Sequence, residues 1–228
     1  MTAFRPISVG GTQKMTDMLE TIQGMVIDGK FKDIEAEVQR AVDAGTDLNR
    51  LINDALISAM DVVGKKFADG TIYVPEMLVS ATTMKRGLDI IKPLLTSGEA
   101  EHRGTIVMGT VKGDLHDIGK NLVTMMMEGA GFNIIDLGVD VKIDNLLETL
   151  KEEKADILGL SALLTTTMPE MQNVIEALEE AGLREQVKVI VGGAPIDRAF
   201  ADTIGADGFG KDAVEAVQLA RDLMAKKS

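Results

Sequence analysis

The chain has 228 residues, 45% of them hydrophobic and 26% charged, with 36 acidic against 24 basic side chains and a formal charge of -12. This length suits one large or two modest domains, and the acidic balance disfavours sequence-independent attraction to nucleic-acid phosphate. The absence of cysteine excludes disulfides, thiolate metal sites, iron–sulfur clusters and cysteine nucleophiles, and no apolar run reaches the roughly 18 residues of a membrane span. The opening MTAFRPISVGG lacks the apolar core of a signal peptide, so a cytoplasmic location is expected. Aromatic residues make up 3%, with no Trp and one Tyr, while Met reaches 14. That composition describes an aliphatic core with adaptable thioethers and argues against base-stacking platforms. Proteins or small molecules are the expected partners.

From Met15 to about Ser97 the apolar residues recur at helical spacing: Met18, Leu19, Ile22 and Val26, then Ile34, Val38 and Val42, then Leu48, Leu51, Ile52, Leu56, Met60 and Val63. Four helices fit. Breaks fall at Asp28-Gly29-Lys30, at Ala44-Gly45-Thr46-Asp47 and at Ala68-Asp69-Gly70, and Pro75 suits the first turn of a fourth helix running to about Ile91. Connections this short predict antiparallel neighbours in a small bundle over residues 1–97. The polar stretch Thr96 to Gly104 carries two glycines, and residues 98–104 are the expected linker.

From residue 105 to 228 short β-rich runs alternate with amphipathic helices. The expected strands are Thr105 to Gly109, Asn133 to Leu137, Ile157 to Leu160, Val187 to Val191 and a weak last one at Gly208-Phe209. Helices are expected over Ile118 to Gly129, Ile143 to Glu153, Pro169 to Ala181, Arg198 to Ile204 and Ala213 to Ala225. The alternation predicts an α/β, Rossmann-like (flavodoxin-like) domain with a five-stranded parallel sheet, which binds ligands outside the carboxyl ends of its strands.

Gly113-Asp114-Leu115-His116-Asp117-Ile118-Gly119-Lys120-Asn121 follows the first strand and opens a helix. As a phosphate loop it fails: five residues separate the glycines, and Asn121 stands where a magnesium-binding Ser or Thr is needed. What remains is a histidine in a ligand-accessible loop, two residues after Asp114 and next to Asp117. A carboxylate on one ring nitrogen fixes the tautomer and raises the basicity of the other, the usual support of a metal-bound imidazole. A solvated or capping histidine fits the same residues. Gly192-Gly193 fits an ordinary strand-to-loop turn, and Met125-Met126-Met127 fits core.

The segment GDLHDIGKN closely resembles the D-x-H-x-x-G signature of cobalamin-binding domains in which a protein histidine displaces the cofactor's lower base. Leu160-Ser161-Ala162-Leu163-Leu164-Thr165-Thr166-Thr167 resembles the family's Ser-x-Leu-x-Thr stretch, and Val191-Gly192-Gly193-Ala194-Pro195 its glycine pair. Asp61 to Gly70, Tyr73-Val74-Pro75-Glu76 and Ser80-Ala81 resemble the helical cap of methyl-transferring corrinoid proteins. The likeness runs over about residues 15 to 225 and extends to the cobalamin-binding region of methionine synthase.

The resemblance implies that His116 is the lower axial cobalt ligand, that Asp114 is its hydrogen-bonded partner and that Thr167 completes the relay where methionine synthase has Ser. It assigns Gly113, Leu115, Asp117 and Gly119 to cofactor binding beside them. Ser161, Leu163 and Thr165 would line the slot for the nucleotide tail, Gly192 and Gly193 would leave its path open, and Ala213 would add a further contact. On the helical side Phe67 and Val74 match positions shielding the upper cobalt face, Val74 being smaller than the Leu of methionine synthase, and Asn53 lies near a matched cofactor contact.

The family's methyl transfer uses barrel domains of roughly 250 residues for donor and acceptor, which this length does not hold. The implied role is a non-catalytic cobalamin carrier visiting a substrate-specific methyltransferase, an acceptor methyltransferase that delivers to tetrahydrofolate or a thiol, and a reductive activation protein, with the linker as hinge. Methoxylated aromatics, methylamines, methanol or a betaine are the implied donors, with a lean towards aryl methyl ethers as in O-demethylase systems. An adenosylcobalamin-binding sensor is the alternative. Such sensors normally add a DNA-binding domain or a Trp-bearing cap, and this sequence shows neither. A receiver-type signalling domain ranks last, because Ser161 stands where a phosphoaccepting Asp would be.

Overall fold

The computed structural model describes residues 9–95 and 103–227, and divides the chain into two compact units, Met1–Glu101 and His102–Ser228. Of the expected linker at 98–104, only Arg103 and Gly104 fall within the described residues. Among these residues no helix is long and apolar enough to cross a membrane.

The first unit is helical. α1 (Val9–Ile27) ends where Gly29 takes a left-handed φ of +66° and lets the chain reverse into α2 (Ile34–Asp43). The third stretch begins as α3 (Leu48–Arg50), with the Asp47 carboxylate accepting from the Arg50 backbone N–H at 2.9 Å. It continues without a break into a π-helix, Leu51–Ile57, and then α4 (Ser58–Ala68). α5 (Val74–Ile91) carries Pro75 in its first turn, and a 3-10 turn, Lys92–Leu94, follows it. The four expected helical stretches are present, but the π-helix has no counterpart in a reading based on 3.6-residue periodicity. Its wider turn buries three consecutive side chains, Ala55, Leu56 and Ile57. These pack into a core with Ile22, Val26, Ile34, Val38, Val63, Met77 and Met84.

The second unit is the expected α/β domain. Its strands β1 (Thr105–Thr110), β2 (Asn133–Asp136), β3 (Ile157–Ser161), β4 (Lys188–Gly192) and β5 (Gly208–Phe209) form one parallel sheet in the order β2-β1-β3-β4-β5. This is the flavodoxin-like order, whose switch point lies between β1 and β3. Alternate strand residues face opposite ways. Val107, Leu158, Leu160, Val189 and Val191 pack under α7 (Ile143–Glu152), α8 (Pro169–Glu180) and α9 (Arg198–Thr203). α6 (Ile118–Gly129) and α10 (Ala213–Lys227) pack side by side. On that side Gly159 is required by packing, since a Cβ there would lie 2.2 Å from the Met108 sulfur.

Register is what builds the site. Thr110 at the end of β1 pairs with Ser161 at the end of β3, so the loops leaving the two strands emerge side by side. On the other edge of β1, the loop after β2 is drawn in by the bridge between Val111 and Val141.

Candidate functional site

The loop after β1 runs from Val111 to Asp117 with no regular structure. Its centre is Asp114, whose side chain is 0% exposed. One carboxylate oxygen accepts from the backbone N–H of His116 at 3.1 Å and lies 2.7 Å from His116 Nδ1. The other accepts from the backbone N–H groups of Leu163 at 2.8 Å and Leu164 at 3.2 Å, and from the Thr167 hydroxyl at 2.7 Å. Burial pushes this carboxyl up, but the hydrogen bonds from Leu163, His116 and Thr167 outweigh it and hold it well below the usual carboxylate range. Asp114 is therefore a charged acceptor. A charged acceptor at 2.7 Å places the proton of a neutral ring on Nδ1 and leaves the lone pair on Nε2. The His116 side chain is 50% exposed, so the site presents one basic nitrogen on an accessible ring.

Apolar side chains that the core does not take lie on the two loops that Asp114 joins and at the start of α6. Leu115 is 71% and Ile118 86% exposed, flanking His116 in sequence, and Leu163 and Leu164 stand exposed on the neighbouring loop. Single exposed apolar residues need no explanation, but several around one polar group at the carboxyl end of a parallel sheet describe a ligand surface.

The remaining predicted residues fall as follows. Gly113 has a left-handed φ of +81°, and its N–H donates to the Asp140 carboxylate at 2.7 Å. The Asp117 carboxylate accepts from Asn121 at 3.1 Å, so the aspartate that grips His116 is Asp114 alone. Gly119, in the first turn of α6, borders open space. Ser161 is half-buried at the end of β3, Thr165 exposed and Thr167 buried, all on the β3 side of the site. Gly193 has a φ of +130°, and a Cβ there would lie 1.8 Å from the Ala162 carbonyl oxygen. Its glycine is thus demanded by the protein's own backbone, whatever passes over it. Gly192 is tight too, since a Cβ there would lie 3.0 Å from the Gly210 carbonyl oxygen. Ala213 opens α10 instead of lying in the preceding loop, and at 4% exposure it offers a ligand almost no surface. Asn53 is exposed on the π-helix, Phe67 half-buried on α4 and Val74 exposed at the start of α5, all in the helical unit.

Motif reading passed over Leu164, which donates to Asp114, and Ile118, the most exposed large apolar side chain among the described residues. It also passed over Lys120, buried and paired with Asp136 while donating to Asn121 at 2.7 Å. An apolar residue on each side of the histidine was the legible signal for Ile118. A lysine in a helix carries no mark of burial.

Two family profiles match the chain, each described as a B12 binding domain, one over residues 104–218 and the other over residues 18–92. The chain is 44% identical over 210 residues to dimethylamine corrinoid protein 1 of Methanosarcina acetivorans, covering 92% of this chain and 98% of that one. It belongs to the B12-binding corrinoid proteins. A corrinoid protein of Desulfitobacterium hafniense is 43% identical over 213 residues, with coverage of 92% and 98%. Among solved structures, a chain of the methanol:cobalamin methyltransferase complex of Methanosarcina barkeri superposes with a TM-score of 0.84 at 30% identity, covering 97% of this chain and 86% of that one.

The donor set suits a corrinoid. Among the described residues no group of three or more His, Cys, Asp or Glu side chains comes together to hold a bare ion. A metal that arrives inside its own macrocycle needs only one axial donor and an apolar surface for the ring. His116 with Leu115, Ile118, Leu163 and Leu164 is such a set. The corrinoid protein thus binds a B12-type cofactor, as its sequence motifs imply.

Proposed function

We propose that this corrinoid protein carries a methyl group between a substrate-specific methyltransferase and a second methyltransferase that delivers it to tetrahydrofolate or a thiol. The observation that carries this reading is the relay of Thr167, Asp114 and His116 beneath an accessible imidazole. When bound, the corrinoid supplies a cobalt centre that accepts a methyl group and gives it up to a nucleophile.

The chain's own residues ligate and tune. His116 would hold the corrinoid's cobalt, through Nε2. Asp114 orients the ring and keeps the proton on Nδ1, which makes Nε2 the stronger donor. Leu163, His116 and Thr167 hold Asp114 ionised, which keeps a charged acceptor on Nδ1. Gly113, Leu115 and Asp117 flank the ligand on its own loop, and Gly119 follows in the first turn of α6. Ser161, Leu163 and Thr165 are assigned to the nucleotide tail, with Gly192 and Gly193 along its path.

Of the relatives named above, one is a dimethylamine corrinoid protein and one a chain of a methanol:cobalamin methyltransferase complex, and another, 41% identical, is trimethylamine corrinoid protein 1 of M. acetivorans. Methylated amines and methanol are accordingly the donors we assign, in place of the lean towards aryl methyl ethers, which none of these names supports. A reductive activation protein, which the family resemblance implies, completes the partner set.

Reconstitution with hydroxocobalamin tests the reading. We expect a stoichiometric complex with a base-off, histidine-on visible spectrum that His116→Ala loses. A variant whose spectra match the parent in every oxidation state would refute ligation by His116, and a methylated protein inert towards every corrinoid methyltransferase of the amine and methanol classes would refute the carrier role.

A further inference from the structure

Past Val111, which is buried in the core, the loop that carries His116 is held by polar contacts, since its other large apolar residue, Leu115, is 71% exposed. Asp114 and Val111, whose N–H donates to the Ser161 carbonyl at 3.0 Å, make the contact with the β3 side. Two further residues, neither part of the recognised motif, grip the same loop from elsewhere. Thr110, the last residue of β1 and fully buried, donates from its hydroxyl to the backbone carbonyl of His116 itself at 3.0 Å. Its own backbone is locked, with its N–H donating to Gly138 at 2.9 Å and its carbonyl accepting from Val141 at 3.0 Å.

Asp140, on the loop after β2, is one of two non-glycine residues with positive φ among those described, at +51°. That conformation is costly for a residue with a side chain and is retained where the surroundings compensate. Here the compensation is reciprocal. The Asp140 carboxylate accepts from Gly113 N–H at 2.7 Å, and the Asp140 N–H donates to the Asp114 carbonyl at 3.0 Å.

We infer that Thr110 and Asp140 are positioning residues for His116, clamping its loop from the sheet below and from the β2 side so that the imidazole stays on Asp114 before any cofactor arrives. The inference rests on His116 being the ligand, as proposed above. The clamp holds Gly113, Asp114 and His116 at backbone level, where the Asp114 side chain alone would leave the loop free to pivot.

The chain has two histidines, so 15N-histidine NMR of the apo protein reads the His116 ring directly, with His116→Ala as the assignment. In the parent we expect a fixed tautomer protonated at Nδ1. Thr110→Val removes the hydroxyl at nearly constant shape, and Asp140→Gly removes the carboxylate while accepting the positive φ. Both should average the two nitrogen shifts and weaken hydroxocobalamin binding about tenfold, the low end of what loss of an orienting partner costs a metal site. Thr110→Ser and Asp140→Asn should restore both readouts, and Asp144→Ala, exposed nearby, should change neither. Should Thr110→Val not fold, the surface change Asp140→Gly decides. Parent-like shifts in folded Thr110→Val and Asp140→Gly, or an affinity loss without a change in the apo ring signals, would overturn the inference. A parent with the fixed tautomer that binds no cobalamin would sink the cofactor role of His116 and leave the clamp standing.

Discussion

Asp114 carries more of the site than His116 does. Its two oxygens collect donors from its own loop and from the loop after β3, so Asp114→Ala strands buried N–H groups at once. We expect a loss of about 3 kcal/mol in the apo protein, read from the urea midpoint at constant slope. The sign with pH follows from the depressed carboxyl. A group with a lower pKa folded than unfolded contributes its stability above the unfolded value, about 3.9, and loses it progressively as the pH falls below that. The stability gap between the parent and Asp114→Asn should therefore be widest near neutrality and narrow on acidification below pH 4. A gap that widens in acid would contradict the assignment. Gly193 makes a second residue-scale case: Gly193→Ala forces a Cβ against the Ala162 carbonyl, at a cost of about 3 kcal/mol or more whether or not cobalamin is present. Equal damage in the apo and loaded proteins separates this backbone requirement from a ligand contact. The D-x-H-x-x-G spacing made Asp114 and His116 legible as a pair. The resemblance already named Asp114 as the partner, and the turn of the loop places its carboxylate 2.7 Å from His116 Nδ1.

At the level of elements, the site exists because β1 and β3 are neighbours in register. Strand identity was visible in β-rich runs of four or five residues and a last pair, and the first four observed strands differ from the expected ones by a residue at an end, as at Thr110 and Gly192. Such end residues matter, since Thr110 belongs to the strand and bonds His116. The helix after the histidine loop is tied down separately by buried Lys120 on Asp136 at the end of β2. Lys120→Ala should cost about 2 kcal/mol, below the 3–5 of a fully buried pair because the Asp136 side chain is 31% exposed. The double change Lys120→Met with Asp136→Asn should recover most of that in urea unfolding; no recovery would place the effect in helix packing instead of the charge. The π-helix Leu51–Ile57 stayed hidden, since its apolar residues satisfy a 3.6-residue pattern nearly as well and only packing selects the wider turn.

For the whole molecule, two units with separate cores predict two unfolding transitions. Leu56→Ala should lower one and Leu158→Ala the other, each by about 2–5 kcal/mol, since both side chains are fully buried. Calorimetry of the apo protein checks this, and hydroxocobalamin at about 100 times its Kd should stabilise the transition of the α/β unit by about 2.7 kcal/mol. A single transition moved by both variants would show one cooperative unit. By itself the sequence determined the α/β class, the helical first part and the corrinoid motifs, because periodicity and loop motifs are local properties of the chain. Tertiary structure alone decided that Asp114 is buried and charged, that Gly193 answers to Ala162, and that Thr110 and Asp140 reach the histidine loop. Most of these depend on atoms distant in sequence, brought within bonding range by strand order and register, while Thr110 reaches His116 six residues on through the turn of the loop.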